Sequence, residues 1–435
     1  MEKTKKVLCI SSLDTSGISG TAADVRAISA LSVHAMPVVV NYVIETQDAV
    51  VEVFPIPLET IEKGIKTCLS EEPDAVKLGL IGRADVAERV CALLPQDIPV
   101  IADPVFLASS GQMFADTRYI DAFISRIAQR ATLVTPNIAE AEMLLGTKIN
   151  TQDDAKIACL ELHRRMGCSV LLKGGHLNAT DYLAHERKIY EFHGEHIPLE
   201  LRSMGCNLAA LISGYIALGY RVVDAVRESK MRISEALRKP AFMGTKYIPD
   251  LVHVLHVNAQ RWETYTGLQG KITEFLSTLR NEHIPEVGIN IGYAIPGATT
   301  KEDVCAIDGR IVKTTVGPSV LPIVKFGAGD HIPRIILTVM RFDAQKRCAM
   351  NMRYNPEMVE KAKKLGYVVG TFTRDAEREK HRDGTMEWGT ETVIRGLGCV
   401  PDMIFDLGDV GKEPMIRLIA ENPEQLLAKL KKLVS

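Results

Sequence analysis

No two of the nine cysteines in this sequence have the CxxC spacing, and they are odd in number and scattered from Cys9 to Cys399. That pattern argues against a zinc site or a disulfide framework and points to a reducing compartment, so the expected location is the cytoplasm. No run approaches the roughly 18 apolar residues of a membrane span. The charged start 1–6 is followed by an apolar run, Val7–Ile10, that is far too short for a secretory leader. Neither sign of charge is in excess: 52 basic residues face 54 acidic ones, for a net charge of −2. Nucleic acid is therefore not an expected partner. Internal repeats and low-complexity tracts are also missing. What remains is a composition that is 46% hydrophobic and 24% charged, that of a globular protein, over 435 residues. That length suggests two or three domains.

Along the first half, short apolar runs alternate with amphipathic stretches. Val7–Ser11, Pro37–Val43, Ala75–Leu80, Pro99–Ala102, Thr132–Thr135 and Ser169–Leu172 read as strands. Gly20–Leu31, Leu58–Leu69, Ala84–Leu94, Tyr119–Ile127, Ala139–Leu145 and Asp153–Met166 read as helices between them. This repetition predicts a mostly parallel, doubly wound α/β sheet. Asp181–His193 reads as an edge hairpin, and Cys206–Leu218 and Val222–Leu237 as two closing helices. Pro240, Gly244 and Pro249 then break the pattern. The expected domains are 1–240 and 258–435, with 241–257 as linker. The second unit also reads as α/β, with helices at Thr264–Arg280, Ile332–Phe342, Pro356–Leu365 and Pro423–Leu433. Its expected strands are Val287–Tyr293, Ile311–Lys313, Gly366–Thr371 and Met403–Asp406.

Chemistry gathers at the strand-to-helix junctions of the first unit. The turn Asp14–Gly20 lets a ligand approach the backbone, though no GK[ST] follows it. Asp103 ends a strand, where open α/β sheets bind ligands. Asn137 and Glu140 have the spacing either of a capping box or of a pair holding Mg2+ through water. Lys173 and Gly174 follow a buried strand and suit a nucleotide. Cys206 stands at the start of a late helix, where a thiol pKa can be lowered, or is simply a small buried residue.

Taken in order, these segments resemble the ribokinase-like hydroxymethylpyrimidine (phosphate) kinases of thiamine biosynthesis over about residues 5–238. The resemblance implies ATP and Mg2+ as cofactors, with Lys173, Gly174 and Asn137 at the nucleotide and Asp103 and Glu140 at the metal. It implies Asp24 as a pyrimidine-contacting carboxylate, and Glu45 in the place of a Gln that pairs with the aminopyrimidine. The family has Gly-Thr-Gly-Cys-Thr at its anion-holding turn, with the Cys as proposed base. Here Ser203-Met204-Gly205-Cys206-Asn207 keeps only Gly205 and Cys206. Loss of the first Gly matters if the turn requires positive φ.

In the second unit, Gly327–His331 leads into a helix as a Gly-rich anion site. Arg310, Arg334, Arg353 and Lys412 can supply cations for pyrophosphate. As a set these segments are similar to the archaeal-type thiamine-phosphate synthase domain over about residues 260–432. The resemblance implies a three-layer α/β/α fold, and coupling of hydroxymethylpyrimidine diphosphate to thiazole phosphate. It also implies catalytic roles for Arg310 and His331, with Gly327, Arg353 and Lys412 binding substrate. The expectation is a two-activity enzyme acting on small molecules, with a homo-oligomeric assembly. The alternatives are a synthase with an inactive pyrimidine-binding kinase fold, and a thiamine-phosphate sensor.

Overall fold

The computed structural model describes residues 3–435 apart from 47–48, 108–110, 176–178, 195–196, 239, 320–322, 374–384 and 410. The chain divides into two units, Met1–Leu255 and His256–Ser435. Among the described residues, no helix is long and apolar enough to cross a membrane.

The first unit is built on a nine-stranded sheet. From edge to edge it runs Val50–Pro55, His34–Glu45, Lys6–Asp14, Ala75–Leu78, Val100–Ala102, Leu133–Val134, Ser169–Leu172, Thr180–His185, Lys188–His193. The central six strands are parallel, while Val50–Pro55 and the hairpin at the other edge are antiparallel. Alternation along one strand shows how both faces are covered. Leu8 and Ile10 enter one apolar core with Val86, Phe123 and Leu162. Val7 and Cys9 enter the other, under Ala27, Leu211 and Val226. This is the doubly wound fold expected. The first strand lies inside the sheet, flanked by the second strand on one side and Ala75–Leu78 on the other. The strand order therefore switches direction there, and the carboxyl ends open a crevice.

The second unit has a seven-stranded, mainly antiparallel sheet. It runs Val324–Phe326, Val304–Ile307, Ile291–Ala294, Cys348–Arg353, Met415–Ala420, Met403–Asp406, Val369–Thr371. Helices Ile272–Thr278, Pro356–Lys364 and Pro423–Val434 cover one face. His331–Met340 and Thr385–Leu397 cover the other. The result is a three-layer α/β/α arrangement.

The structure departs from the sequence reading in several places, among them the edge strand Val50–Pro55, which was not foreseen. The segment 241–257, expected as a linker, has structure of its own. Ala241–Met243 and Lys246–Ile248 form a hairpin around Gly244, whose φ of 79° suits a glycine. Asp250 accepts from the His253 N–H at 2.9 Å and starts the helix Leu251–Gln269. The Pro and Gly residues thus punctuate a turn and a helix start. The single helix expected over 264–280 is two, Leu251–Gln269 and Ile272–Thr278, interrupted at Gly270. Four strands of the second sheet, Val304–Ile307, Val324–Phe326, Cys348–Arg353 and Met415–Ala420, were not foreseen.

Candidate active sites

In the first unit a cavity of about 370 Å³ opens at the carboxyl ends of the parallel strands. Glu45, Asp103, Asn137, Glu140, Lys173, Gly205 and Cys206 all line it. Asp103 follows Val100–Ala102 and Lys173 follows Ser169–Leu172, the two strands that flank Leu133–Val134, and their side chains meet. Lys173 Nζ lies 2.7 Å from Asp103 Oδ1, which also accepts from Thr135 Oγ1 at 2.8 Å. Burial alone would raise the pKa of Asp103, but Lys173 and Lys77 outweigh it and hold the carboxylate ionised.

Gly205 leaves room for Lys173 at this point. A Cβ there would stand 2.9 Å from Lys173 Nζ and 3.7 Å from Asp103 Oδ2. The missing side chain lets the lysine head sit against the first turn of the helix Met204–Ala217. Free backbone N–H groups at such a helix start, beside a cation, favour a phosphate.

Several residues have roles other than those expected. Asp24 is fully buried and does not line the cavity. Its carboxylate is paired with the equally buried Lys77, at 2.8 Å, so it supports the site rather than touching a ligand. Burial raises Asp24 to about 6 against the attraction of Lys77. Asn137 and Glu140 form the capping box: Glu140 Oε2 accepts from Asn137 N at 2.8 Å, and Asn137 Oδ1 from Glu140 N at 2.9 Å. Burial lifts the Glu140 pKa to about 7. Asp103 Oδ1 and Glu140 Oε2 are thus taken by protein partners, an arrangement compatible with the water-mediated Mg2+ contact expected of the two carboxylates. Among the described residues no cluster of three metal-ligating side chains occurs. Gly174 also lies outside the cavity lining; its N–H is taken by Asp181 Oδ1 at 2.9 Å. Its need for glycine is steric, since a Cβ would fall 2.0 Å from the Thr180 carbonyl oxygen. Cys206 lines the cavity, but burial pushes its thiol up to about 11, with Lys77 opposing and Asp103 and Asp24 adding to the rise. The helix start does not lower it, as the sequence alone had suggested.

The sequence reading missed Arg202. It lines the cavity and pairs with Glu45 at 3.4 Å, both side chains nearly enclosed. Burial and then Asp14 raise the Glu45 pKa, and Arg202 opposes them.

The second unit has its own cavity, of about 920 Å³. Arg310, His331 and Lys412 line it together with Arg334 and Arg417. Gly288 backs the Arg310 stem; a Cβ there would lie 2.9 Å from Arg310 Cβ. The Arg310 guanidinium donates to the Val287 carbonyl. Arg417 pairs with Asp406 at 2.7 Å, both buried, and Arg334 pairs with Asp330 at 3.1 Å. Burial lowers the His331 pKa; Asp330 opposes this, and Arg310, Arg334 and Arg417 reinforce it. Asp330 precedes the helix without capping it through its side chain. Gly327 and Arg353 do not line the cavity. Arg353 is half exposed and sits 4.0 Å from Glu413. It shares a sheet face with Asn351, two residues back in strand Cys348–Arg353, and both Asn351 and Glu413 line the cavity.

Residues 14–250 match the phosphomethylpyrimidine kinase family. The chain belongs to that family. Residues 267–432 match the thiamine-phosphate synthase ThiN family. The two together make this a bifunctional enzyme of thiamine biosynthesis, a phosphomethylpyrimidine kinase domain fused to a thiamine-phosphate synthase domain. The bifunctional thiamine biosynthesis protein ThiDN of Methanocaldococcus jannaschii is 26% identical over 432 residues, spanning 98% of this chain and 97% of the relative. The hydroxymethylpyrimidine/phosphomethylpyrimidine kinase of Aquifex aeolicus is 29% identical over 55% of this chain and 97% of its own length. Among solved structures, the Staphylococcus aureus pyridoxal kinase in complex with AMP-PCP and pyridoxal is 27% identical. It covers 57% of this chain and 94% of its own, with a TM-score of 0.53.

Proposed function

We propose that the first unit phosphorylates hydroxymethylpyrimidine and then its monophosphate, using MgATP as phosphoryl donor. The observation that carries this reading is the contact of Lys173 and Asp103 with the helix start at Gly205. It supplies a fixed cation and oriented N–H groups where charge spreads over a transferring phosphoryl group. The nucleotide complex of the related S. aureus pyridoxal kinase supports a nucleotide in the same fold. Mg2+ enters as part of the nucleotide substrate. Glu45 accepts from the amino group of the pyrimidine. Incubating the protein with MgATP and hydroxymethylpyrimidine phosphate tests the reading by mass spectrometry: the diphosphate is expected, and its absence refutes it.

The second unit is proposed to couple that diphosphate to thiazole phosphate. The cations around its cavity support departure of pyrophosphate, with Arg310 stabilising the leaving group and Lys412 binding its terminal charge. His331 works as the neutral imidazole, because burial and the three arginines keep its pKa below the ordinary 6.5. At pH 6.5 it is therefore more than half unprotonated. The synthase kcat/KM is expected to keep more than half its value from pH 8 to 6.5 and to fall with an inflection below 6.5. A pH–rate profile with an inflection at or above 6.5 would contradict this role.

A further inference from the structure

The turn into the helix Met204–Ala217 carries serine at 203, yet its backbone there is one that favours glycine. Ser203, which precedes the helix Met204–Ala217, has φ 63° and ψ 14°, in the left-handed region. That region is disfavoured for residues with a Cβ and is rarely visited by serine. Five other described non-glycine residues have positive φ: Ser32, Glu72, Ala179, Glu186 and Arg187. None of those lines the cavity, whereas Ser203 is buried on its wall.

Ser203 has a specific support. Asn207 Nδ2 donates to the Ser203 carbonyl oxygen at 2.8 Å and to Ser203 Oγ at 3.1 Å. The Asn207 backbone N–H donates to the same carbonyl at 3.0 Å. Asn207 is 2% exposed, so its amide donors have no water to turn to. One turn along the helix from Ser203, it grips both the backbone and the side chain of the strained residue. The three residues between them, Met204, Gly205 and Cys206, line the cavity and form the first turn of the helix, whose N–H groups have no intrahelical partner, and Gly205 abuts Lys173 Nζ. A backbone rotation at Ser203 would re-aim all of these groups.

We propose that Asn207 is a positioning residue for phosphoryl transfer: by holding Ser203 in the left-handed conformation, it takes over what a glycine at 203 would provide. Serine and asparagine here are one compensated pair. The inference rests on the kinase reading above, and it makes a claim that reading does not: Asn207 becomes dispensable once residue 203 is glycine.

The test uses the full-length protein with Asn207→Ala, with Asn207→Asp (which keeps the size and removes the donor), with Ser203→Gly, and with Ser203→Gly/Asn207→Ala. Kinase kcat and KM, synthase activity on supplied diphosphate, and the thermal midpoint are measured for each. With serine at 203, Asn207→Ala and Asn207→Asp are expected to lower kinase kcat on the order of tenfold or more, as misaimed donors do, with little change in the nucleotide KM. Against the Ser203→Gly single variant, adding Asn207→Ala is expected to change kcat by less than about threefold, and synthase activity stays level throughout. An equal loss on both backgrounds overturns the inference and leaves Asn207 as ordinary packing. If the wild-type protein forms no diphosphate, the kinase reading fails by itself. The thermal midpoint then decides the pair: a drop on the serine background that vanishes on the glycine background supports it, and equal drops overturn it.

Discussion

Replacing Cys206 with alanine is expected to separate the two phosphorylations. The first acceptor is an alcohol, which must lose a proton. The second is a phosphate monoester, already ionised near pH 7 because its second pKa is about 6. A base is therefore useful only in the first step. The Cys206 thiol is held up at about 11, so it is almost wholly protonated at neutral pH. Its loss should cost about 10²-fold in the first step, the low end for a positioned base. The second step should stay within about threefold, since phosphoryl transfer depends mainly on positioning and charge stabilisation. Below the thiol pKa, the thiolate fraction rises tenfold per pH unit. The wild-type rate on the alcohol should therefore climb with pH, and the rate on the monophosphate should not follow it. Steady-state rates on both acceptors, for both proteins, check this. Equal losses on the two acceptors would remove Cys206 as a base.

The second large effect is on stability. Lys77 and Asp24 are both fully buried and paired at 2.8 Å. Lys77→Met leaves Asp24 as an uncompensated buried charge, and should destabilise the first unit by about 3–5 kcal/mol. The pH dependence has a definite sign. With Lys77 present, Asp24 already titrates at about 6, raised by burial. Without Lys77 its pKa moves further up, so the variant carries a neutral Asp24 at pH 5 and is penalised increasingly as pH rises to 8. Adding Asp24→Asn to Lys77→Met should recover much of the loss, because the stranded charge is gone. Denaturant unfolding at pH 5 and pH 8 reads these differences. A Lys77→Met protein as stable as wild type at pH 8 would show that the pair contributes little.

The lysine also shows what was legible in the sequence. The run Ala75–Leu78 reads as a buried strand, and a lysine inside it demands a buried partner. The partner cannot be read locally, because it lies 53 residues away on another element. Met415–Ala420 escaped notice for a related reason: Arg417 interrupts an apolar run, and its pairing with Asp406 is what allows it in a buried strand. Cys348–Arg353 escaped because Cys, Ala, Met and Asn are poor strand signals. The parallel strands of the first unit were readable from the dense Val, Ile and Leu runs that both-face burial requires. Positions at the junctions between elements were equally legible, and Asp103, Lys173, Cys206, Arg310 and His331 do line cavities. Which way each side chain is spent was not. Asp24 faces a lysine, Glu140 caps its own helix, and Glu45 meets Arg202, each through contacts that only folding creates.

The central claim is that both halves work in sequence within one chain. Its most direct measurement supplies hydroxymethylpyrimidine, MgATP and thiazole phosphate to the wild-type protein and to Lys173→Met. Thiamine phosphate is followed by mass spectrometry. Wild type should form it. Lys173→Met, which loses the cation at Gly205, should form it only when hydroxymethylpyrimidine diphosphate is supplied ready-made. Wild-type protein that needs the supplied diphosphate, as the variant does, would contradict the account and leave the first unit as a binding fold.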